Sequence, residues 1–363
     1  MATNVAGGLL WQVILVRAPS VGLTMPLGNI LSSIASIGMA LSPNVYVFTA
    51  FACINEFAML HMFFEGFQTL YSANVTKCLE WTSALIVSLR YLGAFLGVPL
   101  ALFVSKCSGT VRGVFVGVAL LYLPLALLSR QAARALEIHD ALTTQNDCHH
   151  CQTSEMPDGS DGCSDMYSEH RRNFTYAFLF TAFTELVRVS YPMTFNLTSL
   201  GASGVTSADS AAGLSLCNGV AVAFMFTAPM LMRKQPAPKW SAGPSFILLG
   251  LGHAALAEAA DRTALMMSSV LFGLGEALSC GLRGFVNTHY RDGFTRSLGS
   301  LASRRLWQTY TNLQQSLVVL ISLSIPWLGS IMSMTVVCYA LAVVSFSAAL
   351  YSMTCMPSIA RAS

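Results

Sequence analysis

Glu56, Arg90, Glu185, Arg188, Glu258 and Glu276 are ionisable residues set inside or beside long apolar runs. A charge in the middle of a lipid-spanning helix costs about 2.5–3.5 kcal/mol on insertion scales, so such residues default to functional candidates. Charges of both signs can bind a small solute, carry a proton, or neutralise each other between helices. Glu185 and Arg188 are spaced i, i+3 and share one helix face. Glu56 and Arg90 lie on neighbouring runs and can pair across a cavity. Glu276 follows Gly273 and Gly275, whose missing side chains let another helix come close. Glu185, Arg188, Glu276, Glu56 and Arg90 are therefore the candidate substrate- or ion-binding residues. The structural alternative is interhelical pairing, or side chains that snorkel to the interface. Glu258 lies beside Asp261-Arg262 and reads as a charge at a helix end.

The elements that position these residues are long apolar segments. Ten are visible: 20–41, 45–66, 83–104, 112–129, 174–199, 211–232, 244–260, 263–282, 308–330 and 333–354, with 9–16 as a possible extension of the first. About 20 mostly apolar residues suffice to cross a bilayer as a helix. Helices satisfy their own backbone hydrogen bonds in lipid, and the runs are too long and continuous for barrel strands. Composition agrees: 54% of residues are hydrophobic and 10% charged, and mean hydropathy is +0.59. A soluble domain carries about 25% charged residues. The fold class expected is all-α, a polytopic transmembrane bundle of about ten helices embedded in a lipid bilayer. The first helix is expected to act as its own signal, since no basic segment precedes the first apolar run.

Residues 130–172 break the pattern and are expected to form a polar loop between an N-terminal bundle, 1–129, and a C-terminal six-helix bundle, 173–363. The stretch holds Cys148-His149-His150-Cys151 and Cys163. Its C-x2-C spacing suits zinc, but no second such pair accompanies it, so Cys148, Cys151 and Cys163 are weak metal candidates beside the reading of an acidic linker. Asn74-Val75-Thr76, Asn173-Phe174-Thr175 and Asn196-Leu197-Thr198 fit the glycan acceptor pattern. Asn74 and Asn196 are the glycosylation candidates. Asn173 and Asn196 flank one apolar segment, so at most one of these two would be modified. No phosphate loop, cofactor cysteine pair or nucleophile elbow is present, so neither enzymatic activity nor a cofactor is expected. The net charge of +3 is too small to suggest nucleic acid.

Phe48-Thr49-Ala50-Phe51 recurs as Phe180-Thr181-Ala182-Phe183, and Pro99 with Lys106 is echoed by Pro229 with Arg233-Lys234. Parallel repeats of helix bundles mark major-facilitator transporters. The basic loops 233–239 and 283–305 are expected to be cytoplasmic. Three crossings separate the turn at Lys106 from that at Arg233, where a parallel repeat needs an even number. A twelve-helix plan with three helices missing from the first half would account for this.

The C-terminal part resembles the Unc-ninety-three-like family of major-facilitator relatives. The resembling residues are Phe180–Phe183, Phe272-Gly273-Leu274-Gly275-Glu276-Ala277 and Ala302-Ser303-Arg304-Arg305-Leu306-Trp307-Gln308, with Phe48–Phe51 in the first half. The resemblance covers 45–130 and 173–356 and implies a major-facilitator fold lacking the family's fourth to sixth helices. It also implies an accessory subunit of an ion channel or a trafficking partner of a membrane receptor. The intramembrane charges and the repeat point instead to transport of a small solute by rocking of two bundles. Either role places the chain in a membrane.

Overall fold

A computed structural model of the chain describes residues 21–58, 79–150, 162–201, 204–225, 230, 239–279, 313, 316–317, 320–321 and 323–355. Regular structure among them is helical throughout. The helices are α1 (Val21–Leu41), α2 (Val45–Phe57), α3 (Leu79–Ser108), α4 (Arg112–His150), α5 (Gly162–Gly201), α6 (Ser207–Phe224) and α7 (Lys239–Ala257). After them come α8 (262–279), the helical residues 323–331 as α9, and α10 (Met334–Cys355). The starts of α2, α4, α8 and α10 fall within one residue of the apolar runs, and local chemistry sets several starts. The Asn44 side chain accepts from the Val47 amide at 3.0 Å and caps α2. Thr206 and Asp209 form a reciprocal capping box at α6. Asp261 caps α8 through the Ala264 amide at 2.8 Å.

The polar stretch departs from expectation. Residues 130–150 continue α4 and 162–172 open α5, so its described parts are helix and not loop. The reason is propensity: Arg130-Gln131-Ala132-Ala133-Arg134-Ala135-Leu136-Glu137 is made almost wholly of strong helix formers. Polarity there ends the apolar span without ending the helix. At 39 residues, α4 is about 58 Å long at 1.5 Å per residue. A hydrocarbon core of about 30 Å cannot contain it, and its lipid-compatible part is Arg112–Gln131. Cys148 lies in the last turn of α4 and Cys163 in the first turn of α5, while Cys151 and Asn74 fall outside the described residues, as does 9–16.

The described residues belong to two compact units, one from 21–58 and 100–150, the other from 79–99 and 163–355. Helix α3 changes unit at Pro99, a residue that removes one helical hydrogen bond. In the first unit α1 packs on α4 and α2. Asn29 Nδ2 donates to Ser129 Oγ at 3.2 Å, and Ser33 Oγ to the Ala119 carbonyl at 3.0 Å. Phe48 meets Phe115 edge to face with ring centroids 5.5 Å apart. The buried face of α1 is Asn29, Ser32, Ser33, Ala35, Ser36, Met39 and Ala40, mostly small residues, whereas Leu27, Ile30, Ile34 and Ile37 are exposed. Small polar residues inside and large apolar residues outside reverse the order of a water-soluble core. They suit a bundle whose solvent is lipid and whose helices approach through small residues.

The second unit has a conventional aromatic core: Phe180, Tyr191, Phe195, Phe246 and Phe272. Its helices come close at glycines. A Cβ on Gly273 of α8 would lie 2.6 Å from the Cys217 carbonyl of α6, and one on Gly275 would lie 2.7 Å from Leu249 of α7. Among the described residues three helices carry spans long and apolar enough to cross a membrane: Tyr91–Ser108, Arg112–Gln131 and Met334–Cys355. Pro26–Leu41, Val45–Asn55 and Ser241–Ala257 are shorter apolar helices.

Candidate functional site

Three of the five candidate residues come together in the second unit. Glu185 and Arg188 project from the middle of the apolar part of α5, one turn apart. Glu185 Oε2 accepts from Arg188 Nη2 at 2.5 Å and from Nε at 3.2 Å. Glu276 of α8 accepts a hydrogen bond from the Tyr91 hydroxyl of α3. Both Tyr91 and Glu276 lie within electrostatic reach of Arg188. Glu276 is buried, at 1% exposure. The Glu185 side chain is 10% exposed and that of Arg188 24%. Two carboxylates, a guanidinium and a phenol from three helices thus fall within one electrostatic cluster. Glu56 and Arg90 belong to α2 and α3, and their side chains fall outside the description.

The surrounding residues explain how this cluster is held. Gly273 and Gly275 seat α8 against α6 and α7, which fixes the position of Glu276 one residue further on. Tyr191 is one turn past Arg188 on α5, and Phe272 one turn before Glu276 on α8. Their rings stack with centroids 3.8 Å apart. The Tyr191 hydroxyl lies 3.0 Å from Ser268 Oγ. His253 of α7 stands edge-on to both rings and lies 3.1 Å from the Leu249 carbonyl through Nδ1. Its Nε2 lies 3.4 Å from Ser190 Oγ.

Tyr91 was not among the sequence candidates. Its hydroxyl beside Arg90 in an apolar run is the signal that could have found it. Its partner lies 185 residues away, and no local pattern announces that. Glu258 follows the last residue of α7 and accepts from the Tyr339 hydroxyl of α10, which keeps it a helix-end charge. The other end-of-helix pair is Arg262 Nε to Asp209 Oδ1 at 3.0 Å, where α8 begins beside the start of α6. Asn196 lies inside α5, and its Oδ1 accepts from Ser210 Oγ at 2.8 Å. Among the described residues no group of His, Cys, Asp and Glu is gathered as a metal site would need.

Leucine-clad helices with paired charges in their interior define an integral, multi-pass membrane protein. Comparison with solved structures adds the fold. A crystal structure of a POT family transporter in complex with a thioalcohol-conjugated peptide matches with a TM-score of 0.68 at 12% identity. It covers 96% of this chain and 84% of that one. A second POT family transporter structure, in complex with 5-aminolevulinic acid, matches with a TM-score of 0.66, the same identity and the same coverage. The chain therefore shares the fold of these two structures. No family model and no curated protein matches it. The resemblance to the Unc-ninety-three-like family rests on the motif residues alone. Of those, Phe180–Phe183 lie on α5 and Phe272–Ala277 on α8, while 302–308 are outside the described residues.

Proposed function

We propose that this protein moves a small ionisable solute across a membrane, with Glu185, Arg188, Glu276 and Tyr91 as its binding residues, and that it is not an enzyme. The observation that carries the reading is the mixed-charge cluster itself. Ionisable residues inside membrane helices are expensive and gather where a solute or ion passes. The Glu185–Arg188 pair stands within electrostatic reach of the Tyr91–Glu276 pair, in apolar stretches of their helices. The fold supports the same reading, since both similar structures are transporters. Glu56 and Arg90 are proposed as further members of the transport route on the strength of their sequence positions.

The test is uptake by purified protein in proteoliposomes, using 5-aminolevulinic acid and a dipeptide as probes. Uptake above empty liposomes, abolished by Glu276→Gln and strongly reduced by Glu185→Gln, is the expected result. Uptake indifferent to both substitutions would end the reading.

A further inference from the structure

Among the described residues the Arg188 guanidinium is only half used. Arginine presents five N–H donors in two flat edges: a side-on edge of Nε with Nη2, and an end-on fork of Nη1 with the second hydrogen of Nη2. Glu185 occupies the side-on edge with a single oxygen, Oε2, at 3.2 Å and 2.5 Å. Those are the guanidinium's hydrogen bonds to protein among the described residues, so its end-on fork carries none. The side chain is 24% exposed although Arg188 sits near the middle of the apolar part of α5. A partly accessible arginine side chain in a membrane helix belongs to the bundle interior or a wetted route rather than to lipid.

We infer that the end-on fork of Arg188 is the docking point for a carboxylate group of the transported solute. A planar carboxylate matches the fork with two parallel N–H···O bonds, the geometry for which arginine is preferred over lysine. A single negative charge is favoured over a dianion because Glu185 and Glu276 already place negative charge around the site. Glu185 holds the guanidinium flat from the other edge, so it orients the fork without competing for it. Tyr91 and Glu276, within electrostatic reach of Arg188, are left to meet the rest of the solute. The inference deepens the transport reading and rests on it.

The experiment uses the full chain in nanodiscs and the arginine reagent phenylglyoxal, with the modification of Arg188 followed by peptide mass spectrometry. Acetate, 5-aminolevulinate and glycylglycine are the carboxylate probes; the methyl esters of the last two and inorganic phosphate are the comparison arms. Arg188 is expected to react, and a carboxylate at ten times its dissociation constant should slow the reaction about elevenfold by mass action. The esters should give no protection and phosphate much less. Arg188→Lys should bind the same carboxylates more weakly, which separates loss of the fork from loss of the charge. An unreactive Arg188, no protection by any of the three carboxylates, or equal protection by ester or phosphate would overturn the assignment. Carboxylate protection without uptake in proteoliposomes would leave this site standing and end the transport reading. Uptake lost in Glu276→Gln but equal for acid and ester would do the reverse.

Discussion

Tyr191 of α5 and Phe272 of α8 lie face to face, with ring centroids 3.8 Å apart and planes 9° from parallel. The stack sets the register of the two helices that carry Arg188 and Glu276, each about one turn away. Its two contributions separate by substitution. Tyr191→Phe keeps the rings and loses the hydroxyl bond to Ser268, a cost of about 0.5–1.5 kcal/mol. Tyr191→Ala removes a wholly buried aromatic and costs about 3–5 kcal/mol. Unfolding of the reconstituted protein in graded denaturant checks both, and the phenylalanine variant should retain most of its uptake.

The Glu185–Arg188 pair makes a different demand. Breaking a buried ion pair from one side costs about 3–5 kcal/mol, because the other charge is stranded. The 24% exposure of Arg188 puts Glu185→Gln at the low end of that range, near 3 kcal/mol. The double variant Glu185→Gln, Arg188→Gln strands no charge and should be more stable than the sum of the single losses. A double-mutant cycle measured by unfolding gives that coupling directly. Additive losses would show that the pair contributes no interaction of its own.

Close helix approach at Gly273 yields a sharper contrast. A Cβ there meets the Cys217 carbonyl at 2.6 Å, a backbone atom that no rotamer change can move. Gly273→Ala should destabilise by about 1–3 kcal/mol, the usual range for overpacking. Gly97 of α3 has nothing within 4 Å of the same position. Gly97→Ala should be neutral or slightly stabilising, since alanine is the better helix former by up to about 1 kcal/mol. Thermal unfolding in one detergent compares the two.

Most of this architecture is legible in the residues. The apolar runs mark where α2 and α4 begin, and i, i+3 spacing is enough to pair Glu185 with Arg188. The glycines before Glu276 announce a close contact, though not the identity of Cys217 and Leu249 as the atoms contacted. What escapes is of two kinds. Helix α4 outruns its apolar segment because helix propensity and lipid affinity are separate properties, and Arg130, Gln131, Arg134 and Glu137 have the first without the second. Tyr91 escapes because a neutral aromatic in an apolar run is common, and only tertiary packing brings it to Glu276.

Asp209 gives a pH dependence whose sign follows from its contacts. The Thr206 hydroxyl and amide donate to its carboxylate, at 2.7 Å and 3.0 Å, and Arg262 lies beside it, so its pKa is held below the ordinary carboxylate value. A group with a lowered folded pKa stabilises the fold at pH above its unfolded value, about 3.9. That contribution is lost as pH falls through the lower folded value. Asp209→Asn can still cap α6 but cannot titrate. Thermal unfolding from pH 6 down to pH 3 should therefore fall less steeply in Asp209→Asn than in the parent chain. Parallel curves would show that the capping carboxylate is not titrating in this window.

Asn196 matches the acceptor pattern, yet its surroundings argue against modification. Acceptor asparagines lie on surface loops, where backbone and side chain are free to enter an enzyme. Asn196 is inside α5, five residues before its end at Gly201, and its Oδ1 takes the Ser210 hydroxyl of α6 at 2.8 Å. Ser199 reaches the same hydroxyl at 3.1 Å, so a three-residue polar clasp ties α5 to α6. The side chain is therefore structural. In protein made in a glycosylating host, Asn196→Gln should leave the glycosidase-sensitive mobility unchanged. It should still lower stability by about 0.5–1.5 kcal/mol through the lost hydrogen bond. A glycosidase-sensitive band that disappears specifically in this variant would mean that α5 ends before Asn196 when the chain meets the transferase.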